Sequence, residues 1–371
     1  MMRRRRPGSK ARWLLRLLAL LGAAAVVWAA PRQAPGQDLF GDLLIFRPQA
    51  QIDQVRRGIS RGISRIPFSS TPGGFVFRFN PELGIPQPVS ESLGPSFVER
   101  APTLGRGIIS AGISVTHLNF DLLEGVDLDD LFDATVVEQP GGLLTITRRQ
   151  DVNLKLEQTL LAVSGFYGLS ERFDLGIVVP FVSNRLRAVS SISGTRQLAG
   201  GEPRPLPATV TASTLNEQGL GDVLLRAKYF FAESRFPFEF AVALDLKLPT
   251  GDEERLLGNG DLEVRPLTIA SRSFGPFTPH LNLGAILNTR SSEGSGFFYG
   301  AGADVRLLSR LTASVEYFAQ TDEEDTIADL ALGLKWNPWK RLVLRGSLRW
   351  SVNEDGLRDR LTPTFGIEAS F

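Results

Sequence analysis

From Asp222 to Phe231 the chain alternates without a break. Val223, Leu225, Ala227, Tyr229 and Phe231 take one face, and Asp222, Leu224, Arg226, Lys228 and Phe230 the other. A period of two predicts a β-strand, because successive side chains of a pleated backbone point to opposite faces. After the connection Ala232–Pro237 the pattern resumes, with Phe238, Phe240, Val242, Leu244, Leu246 and Leu248 opposite Glu239, Ala241, Ala243, Asp245 and Lys247. It recurs in Phe297–Leu307 against Asp304 and Arg306, and in Leu311–Tyr317 against Ser314 and Glu316. It recurs again in Ala328–Trp336 against Asp329 and Lys335, and in Leu342–Trp350 against Arg345, Ser347 and Arg349. Weaker members are Ile109–Val115, Val152–Leu156, Phe173–Val179, Leu262–Val264 and Leu281–Leu287, and the last runs Leu361–Phe371. The count is about twelve strands, or about fourteen if one more hairpin is present, an even number as single-chain barrels require.

Segments of about ten to twelve residues match a tilted membrane-crossing strand, whereas strands of soluble proteins cluster near five or six. The connections also alternate in length. Short ones fall at Gly168–Arg172, Ala232–Pro237, Gly275–Thr278, Leu308–Arg310 and Asn337–Arg341. Longer polar ones fall at Asp121–Gln150, Asn184–Gln218, Thr250–Gly260, Thr289–Gly296, Gln320–Thr326 and Asn353–Asp359. This rhythm of short turns and long loops is that of a membrane barrel. Phe166, Tyr167, Phe173, Tyr229, Phe231, Phe236, Phe274, Phe277, Trp336 and Trp339 cluster beside the short turns, where an interfacial aromatic girdle belongs. The expected fold is therefore all-β, a transmembrane antiparallel up-and-down β-barrel with its apolar strand faces toward lipid. The competing reading is a secreted soluble all-β protein.

Arg3–Arg6, Lys10 and Arg12 precede the apolar run Leu17–Val27, and Val27 and Ala29 are small residues suited to cleavage after Ala29. This predicts a secretory signal over 1–30, too short to span the hydrocarbon as a helix. A periplasmic or plug segment over 31–105 and a barrel over 106–371 complete the expected organisation, resident in the cell outer membrane. The stretch "QVRRGISRGISR" (Gln54–Arg65) and the alternating Phe75, Phe77 and Phe79 belong to the middle segment, which either plugs the lumen or forms a periplasmic tail. Pro363, Phe365, Ile367, Ala369 and Phe371 place an apolar residue at every second position back from a terminal aromatic. This resembles the signature read by the outer-membrane assembly machinery, which is expected as a partner through Phe371, beside lipid and lipopolysaccharide.

With 41 basic and 40 acidic residues the net charge is +1, so nucleic acid is not an expected partner. There is no cysteine, which removes disulfides, lipidated cysteine and thiolate metal sites. No motif calls for a cofactor or a metal. By phase, the inward face carries Arg226, Lys228, Glu239, Asp245, Lys247, Glu263, Arg265, His280, Asp304, Arg306, Glu316, Lys335, Arg345 and Arg349, with Asp222, Asn282, Asp329 and Glu368. Both signs are interleaved. They either pair across strands and stiffen the wall or select a polar solute. Asp127, Asp129, Asp130 and Asp133 fall in the first long loop, either as a solvated loop helix or as oxygen ligands for calcium or bridged lipopolysaccharide. A lipid hydrolase needs a histidine beside a serine nucleophile. The two histidines are His117, of uncertain direction, and His280, inward by phase. Neither is followed by the His-x-Ser-Asn-Gly pattern of outer-membrane phospholipases, so no enzyme is expected.

Three stretches, "GPSFVERAPTLGRG" (Gly94–Gly107), "GLSERFDLGIVVPF" (Gly168–Phe181) and "GLGDVLLRAKYFF … LDLKLPTGDEERLLGNGDLEVRP" (Gly219–Pro266), resemble the outer-membrane family labelled "MetA pathway of phenol degradation". The resemblance runs from about Phe75 to Phe371. That family consists of transporters loosely related to long-chain fatty-acid and aromatic-hydrocarbon channels. The resemblance implies a porin-like barrel passing small hydrophobic or aromatic solutes by passive diffusion. The alternative is a structural or adhesive barrel with a closed lumen, whose Ser- and Thr-rich loop Asn184–Gln218 does the work. Within "LPTGDEERLLGNGD", Pro249 ends a strand and the glycines suit a reversing loop.

Overall fold

The computed structural model describes residues 58, 59, 62, 63, 76–80, 85–88 and 92–371, except 131, 232–236, 290–294, 324 and 340. The signal sequence read over 1–30, Phe75 and Phe236 lie outside the described residues. Phe77–Asn80 and Ile85–Pro88 pair as a short antiparallel hairpin.

Twelve antiparallel strands form the wall: β1 (Ile109–Leu123), β2 (Leu144–Gly168), β3 (Phe173–Leu198), β4 (Thr209–Leu220 continued by Leu224–Phe231), β5 (Glu239–Lys247), β6 (Glu263–Ser271), β7 (Phe277–Asn288), β8 (Gly296–Leu308), β9 (Leu311–Asp322), β10 (Thr326–Trp339), β11 (Leu342–Ser351) and β12 (Leu361–Ser370). Each pairs with its neighbour in sequence, and β12 returns to β1 in the register Ser370↔Ser110 to Thr364↔Thr116. Closure leaves no free sheet edge, so the ladder groups find their partners within the wall over most of its length, as hydrocarbon requires. Among the described residues no helix is long and apolar enough to cross a membrane; the strands do the crossing.

The outer face explains why the sheet sits in lipid. On β3, Phe173, Leu175, Ile177, Val179 and Phe181 point outward, and on β1, Ile113 and Val115 do the same. Apolar outward positions recur around the wall, in Leu281 and Leu283, Leu332 and Leu334, and Phe365 and Ile367. The band is about nine residues tall on β3, the length of a tilted crossing.

Several expectations are corrected. The segments 121–150 and 184–218, expected as loops, are largely sheet: β2 is 25 residues long and β3 is 26. Both continue past the apolar band, flanked by Phe132–Glu138 and the first half of β4. Serine, threonine and arginine on both faces made this part read as loop, yet its β-branched residues suit a solvated ribbon. The connection expected at 320–326 shrinks to three residues, 323–325, between β9 and β10. Val152, Leu154 and Leu156 point into the barrel and are buried, not toward lipid. Phe166 is also inward and buried, against Leu104, so it leaves the girdle. Tyr167, Tyr229, Phe231, Phe274, Phe277, Trp336 and Trp339 remain exposed near the short turns.

Candidate functional site: a latched plug and an apolar outer lumen

Residues 92–107 run through the short-turn half of the lumen before entering β1. At the entry the backbones nearly touch: Gly107 donates to the Gly168 carbonyl at 2.7 Å and Gly168 donates to that of Ile108 at 2.9 Å. A Cβ on Gly168 would lie 1.8 Å from the Gly105 carbonyl oxygen, so only glycine fits there.

This segment has no regular structure, so its backbone groups need partners from the wall. The carboxylate of Glu316, wholly buried on β9, accepts the N–H groups of Ser96 at 2.7 Å, Phe97 at 2.6 Å and Val98 at 2.7 Å, besides the Ser314 hydroxyl at 2.8 Å. Three consecutive N–H groups folded around an anion make a compact, charge-assisted clasp. Lys335 supplies the opposite chemistry, donating to the Pro95 carbonyl at 2.5 Å and more weakly to that of Leu93. Lys228 donates to the Arg100 and Pro102 carbonyls at 2.6 and 3.2 Å. Asn282 bonds both backbone groups of Glu99. Ser271 accepts from Ala101, and Asp174 accepts from Leu104. Of the segment's three side-chain charges Arg106 is exposed, and the other two are met. Glu99 faces Arg226 and Lys228, and Arg100 lies 3.8 Å from Asp304, which also accepts from the Ser92 hydroxyl.

The inward-phase charges thus divide by task. Arg226, Lys228, Asp304, Glu316 and Lys335 meet the plug. Asp245 pairs with Arg226, and Glu263 pairs with Lys247 at 3.1 Å and with Arg265, bracing the wall. His280 is buried, with Nδ1 3.1 Å from the Thr278 carbonyl and 3.7 Å from Asp304. Arg349 joins Asp329 at 2.9 Å and Asp359 at 3.0 Å in a buried group completed by Arg358, at the outer side of β10–β12. Asp359 lies outside the crossing segments, and burial pushes its carboxyl above the usual range against the pull of Arg349. Glu239, Arg306 and Arg345 are half-buried. His117 is exposed on the outside of β1, beside the Thr159 hydroxyl at 3.1 Å. The acidic stretch carries a 3-10 turn at Leu128–Asp130, and Asp127 faces Arg360 at 3.6 Å. Among the described residues no group of three or more His, Asp or Glu side chains is placed to hold a metal ion.

Above the apolar band the wall changes character. Leu118 and Phe120 of β1, Leu154, Leu156 and Leu160 of β2, and Val182 and Leu186 of β3 all point inward. Leu128, Leu256, Leu257 and Leu357 from the outer connections close over them, and Ile59 and Ile63 lie within the same cluster. The outer neighbours on these strands are polar: Asn119, Lys155, Glu157, Arg185 and Arg187. Water on the outside and a mainly apolar surface within, interrupted by the buried pair Gln158 and Asn184 (Gln158 donates to the Asn184 amide oxygen at 2.8 Å), is the reverse of the membrane-embedded half. Sequence reasoning missed this core, yet the signal was legible as a change in the parity of the apolar positions. On β3 they are odd-numbered to Phe181 and even-numbered from Val182; on β2 the parity changes at Leu160–Leu161, and on β1 between Val115 and Leu118.

The wall is weak between β6 and β7. The β6–β7 ladder passes from Val264↔Leu287 to Leu267↔Gly284, leaving two positions on each strand unpaired around Pro266, which has no N–H to give. A cavity of about 640 Å³ opens there, lined from outside by Val242, Leu283 and Phe297 and from inside by Leu267 and Phe298. On the lumen side Leu267 packs in one cluster with Ala101 of the plug.

Closed wall, lipid-facing belt and occupied lumen define a membrane-spanning β-barrel that holds residues 92–107 of its own N-terminal segment within it. The family model described as "Putative MetA-pathway of phenol degradation" matches residues 155–359, more than half of the chain, and the protein belongs to that family. A search of curated proteins finds no match. Among solved structures, the chain is similar to an outer membrane channel from Pseudomonas putida F1, at 13% identity and a TM-score of 0.47, over 73% of this chain and 98% of that one. It is also similar to the Ralstonia pickettii toluene transporter TbuX, at 11% identity and 0.40, over 84% and 98% of the two chains. A third is the CymD monoaromatic hydrocarbon channel, at 9% identity and 0.38, over 72% and 89%.

Proposed function

We propose that the protein is an outer-membrane channel that takes small apolar or aromatic solutes from the cell exterior and passes them inward by passive diffusion. The observation that carries this reading is the apolar core inside the outer half of β1–β3, where a channel for sugars or ions would need polar groups. A solute leaving water for such a lining gains roughly 25 cal/mol for each Å² of apolar surface removed from water. Membership of a family named for phenol degradation and the hydrocarbon transporters among similar folds agree with it. The unpaired stretch at Pro266 is the place where such a solute would leave the lumen for lipid beside the plug, so that passage would not cross the charged short-turn end.

The test is whole-cell uptake of labelled toluene by a Gram-negative host that lacks other hydrocarbon channels. Cells making the protein are expected to take up toluene several-fold faster than cells without it, with glucose uptake unchanged. Equal toluene uptake would reject the proposal. A second reading, a closed structural or adhesive barrel, is favoured by the latched plug and by the solvated β2–β4 ribbon. It predicts no change for either solute, together with a loss of cell-surface adhesion on deletion.

A further inference from the structure

Two parts of the N-terminal segment are held in the barrel by opposite chemistry. Residues 92–104 are fixed by buried carboxylate, amide and ammonium groups. Residues 58, 59, 62 and 63 sit in the outer lumen with helical backbone, and among the described residues no hydrogen bond or ion pair ties them to the wall. The contacts these four residues make are apolar. Ile59 and Ile63 are 1% and 6% exposed and belong to the same cluster as Leu156, Leu186 and Leu357. The sequence is built for this: Gly-Ile-Ser-Arg occurs twice in succession, at 58–61 and 62–65. A spacing of four puts both isoleucines on one side of a helical turn. The glycines let the backbone come close, since a Cβ on Gly62 would lie 2.3 Å from the Leu357 Cβ and one on Gly58 would lie 3.4 Å from a Leu123 methyl.

We propose that Ile59 and Ile63 are a resident internal ligand of the apolar outer lumen, occupying the place where an incoming apolar solute binds, and that the solute enters by displacing them. This rests on the channel reading and adds to it the site and the gatekeeper. The exchange is like for like at these two side chains, because the solute offers the wall the same dispersion and burial that the isoleucines give up. Without the two side chains the cluster would contain an apolar void, and voids of that kind stay dry and accept molecules such as benzene. A segment resident nine-tenths of the time weakens apparent solute affinity by about tenfold, since only the vacant fraction can bind.

The experiment is fluorescence titration of the folded full-length mature chain in detergent with phenylnaphthylamine, an apolar fluorophore. The double variant Ile59→Ser with Ile63→Ser is expected to bind it about tenfold more tightly than the parent. Gly62→Val keeps both isoleucines but collides with Leu357, and is expected to tighten binding in the same direction. It also serves if the double variant does not fold. Unchanged or weaker binding in the folded variants would overturn the proposal. If cells making the parent protein still take up toluene in that event, the channel reading stands alone; if they do not, both fall.

Discussion

Glu316→Ala is expected to convert a silent barrel into one that conducts ions across a planar bilayer. The substitution removes the acceptor of three consecutive plug N–H groups, those of Ser96, Phe97 and Val98, in a place where no water-exposed partner replaces it. A hydrogen bond to a charged group contributes about 1.5–3 kcal/mol, and stripping one partner from a buried charged arrangement costs about 3–5 kcal/mol. At 1.4 kcal/mol for each factor of ten, that moves the balance between seated and released plug by roughly two to three orders of magnitude. Glu316→Gln keeps one acceptor oxygen and gives up the charge, so it should conduct more than the parent and less than the alanine variant. A folded Glu316→Ala barrel with parental conductance and an unchanged Tm would mean that the clasp does not hold the plug.

The second large effect is expected from Leu186→Asp. Leu186 is 1% exposed in the outer core, and a carboxylate there meets the leucines and the phenylalanine of that cluster. Burying such a group without a partner costs several kcal/mol or forces it to stay protonated, and either outcome gives the solute a polar wall. Toluene uptake should fall to the level of cells lacking the protein. Leu186→Ala, which costs about 2–5 kcal/mol in stability but keeps the lining apolar, should retain most of the uptake. Arg187→Asp, one residue along and on the water side, should retain all of it. Equal uptake by Leu186→Asp and the parent would remove the outer core from the transport route.

Much of the wall was legible because a period of two survives wherever one face of a strand meets lipid. The inward phases of Arg226, Asp245, Asp304 and Lys335 follow from counting by two along β4, β5, β8 and β10. The solvated reach of β2 and β3 was not legible, because Ser190–Gly194 and Thr145–Arg149 hold one apolar side chain each, Ile192 and Ile146, and carry no sustained alternation of hydropathy. The apolar outer lumen escaped for a different reason. Reading every apolar face as lipid-facing puts Leu154 and Leu156 on the wrong side, when the backbone keeps its register and only the solvent outside changes from lipid to water. The clasp could not be read at all, because its donors are backbone N–H groups of a segment without a pattern and its acceptor lies 218 residues from Val98 along the chain.

The inversion of polarity along β3 is open to direct measurement, since the chain has no cysteine and any thiol introduced is the only one. Single cysteines would replace Phe173, Leu175, Ile177, Val179, Phe181, Ser183, Arg185, Arg187 and Val189 in turn, and each would be treated in intact cells with a charged maleimide and with a lipid-soluble one. Thiols at 173–181 should react only with the lipid-soluble reagent, and thiols at 183–189 should react readily with the charged one, with the change falling between Phe181 and Ser183. Lipid-soluble labelling alone along the whole series to Val189, or charged labelling throughout, would contradict the account.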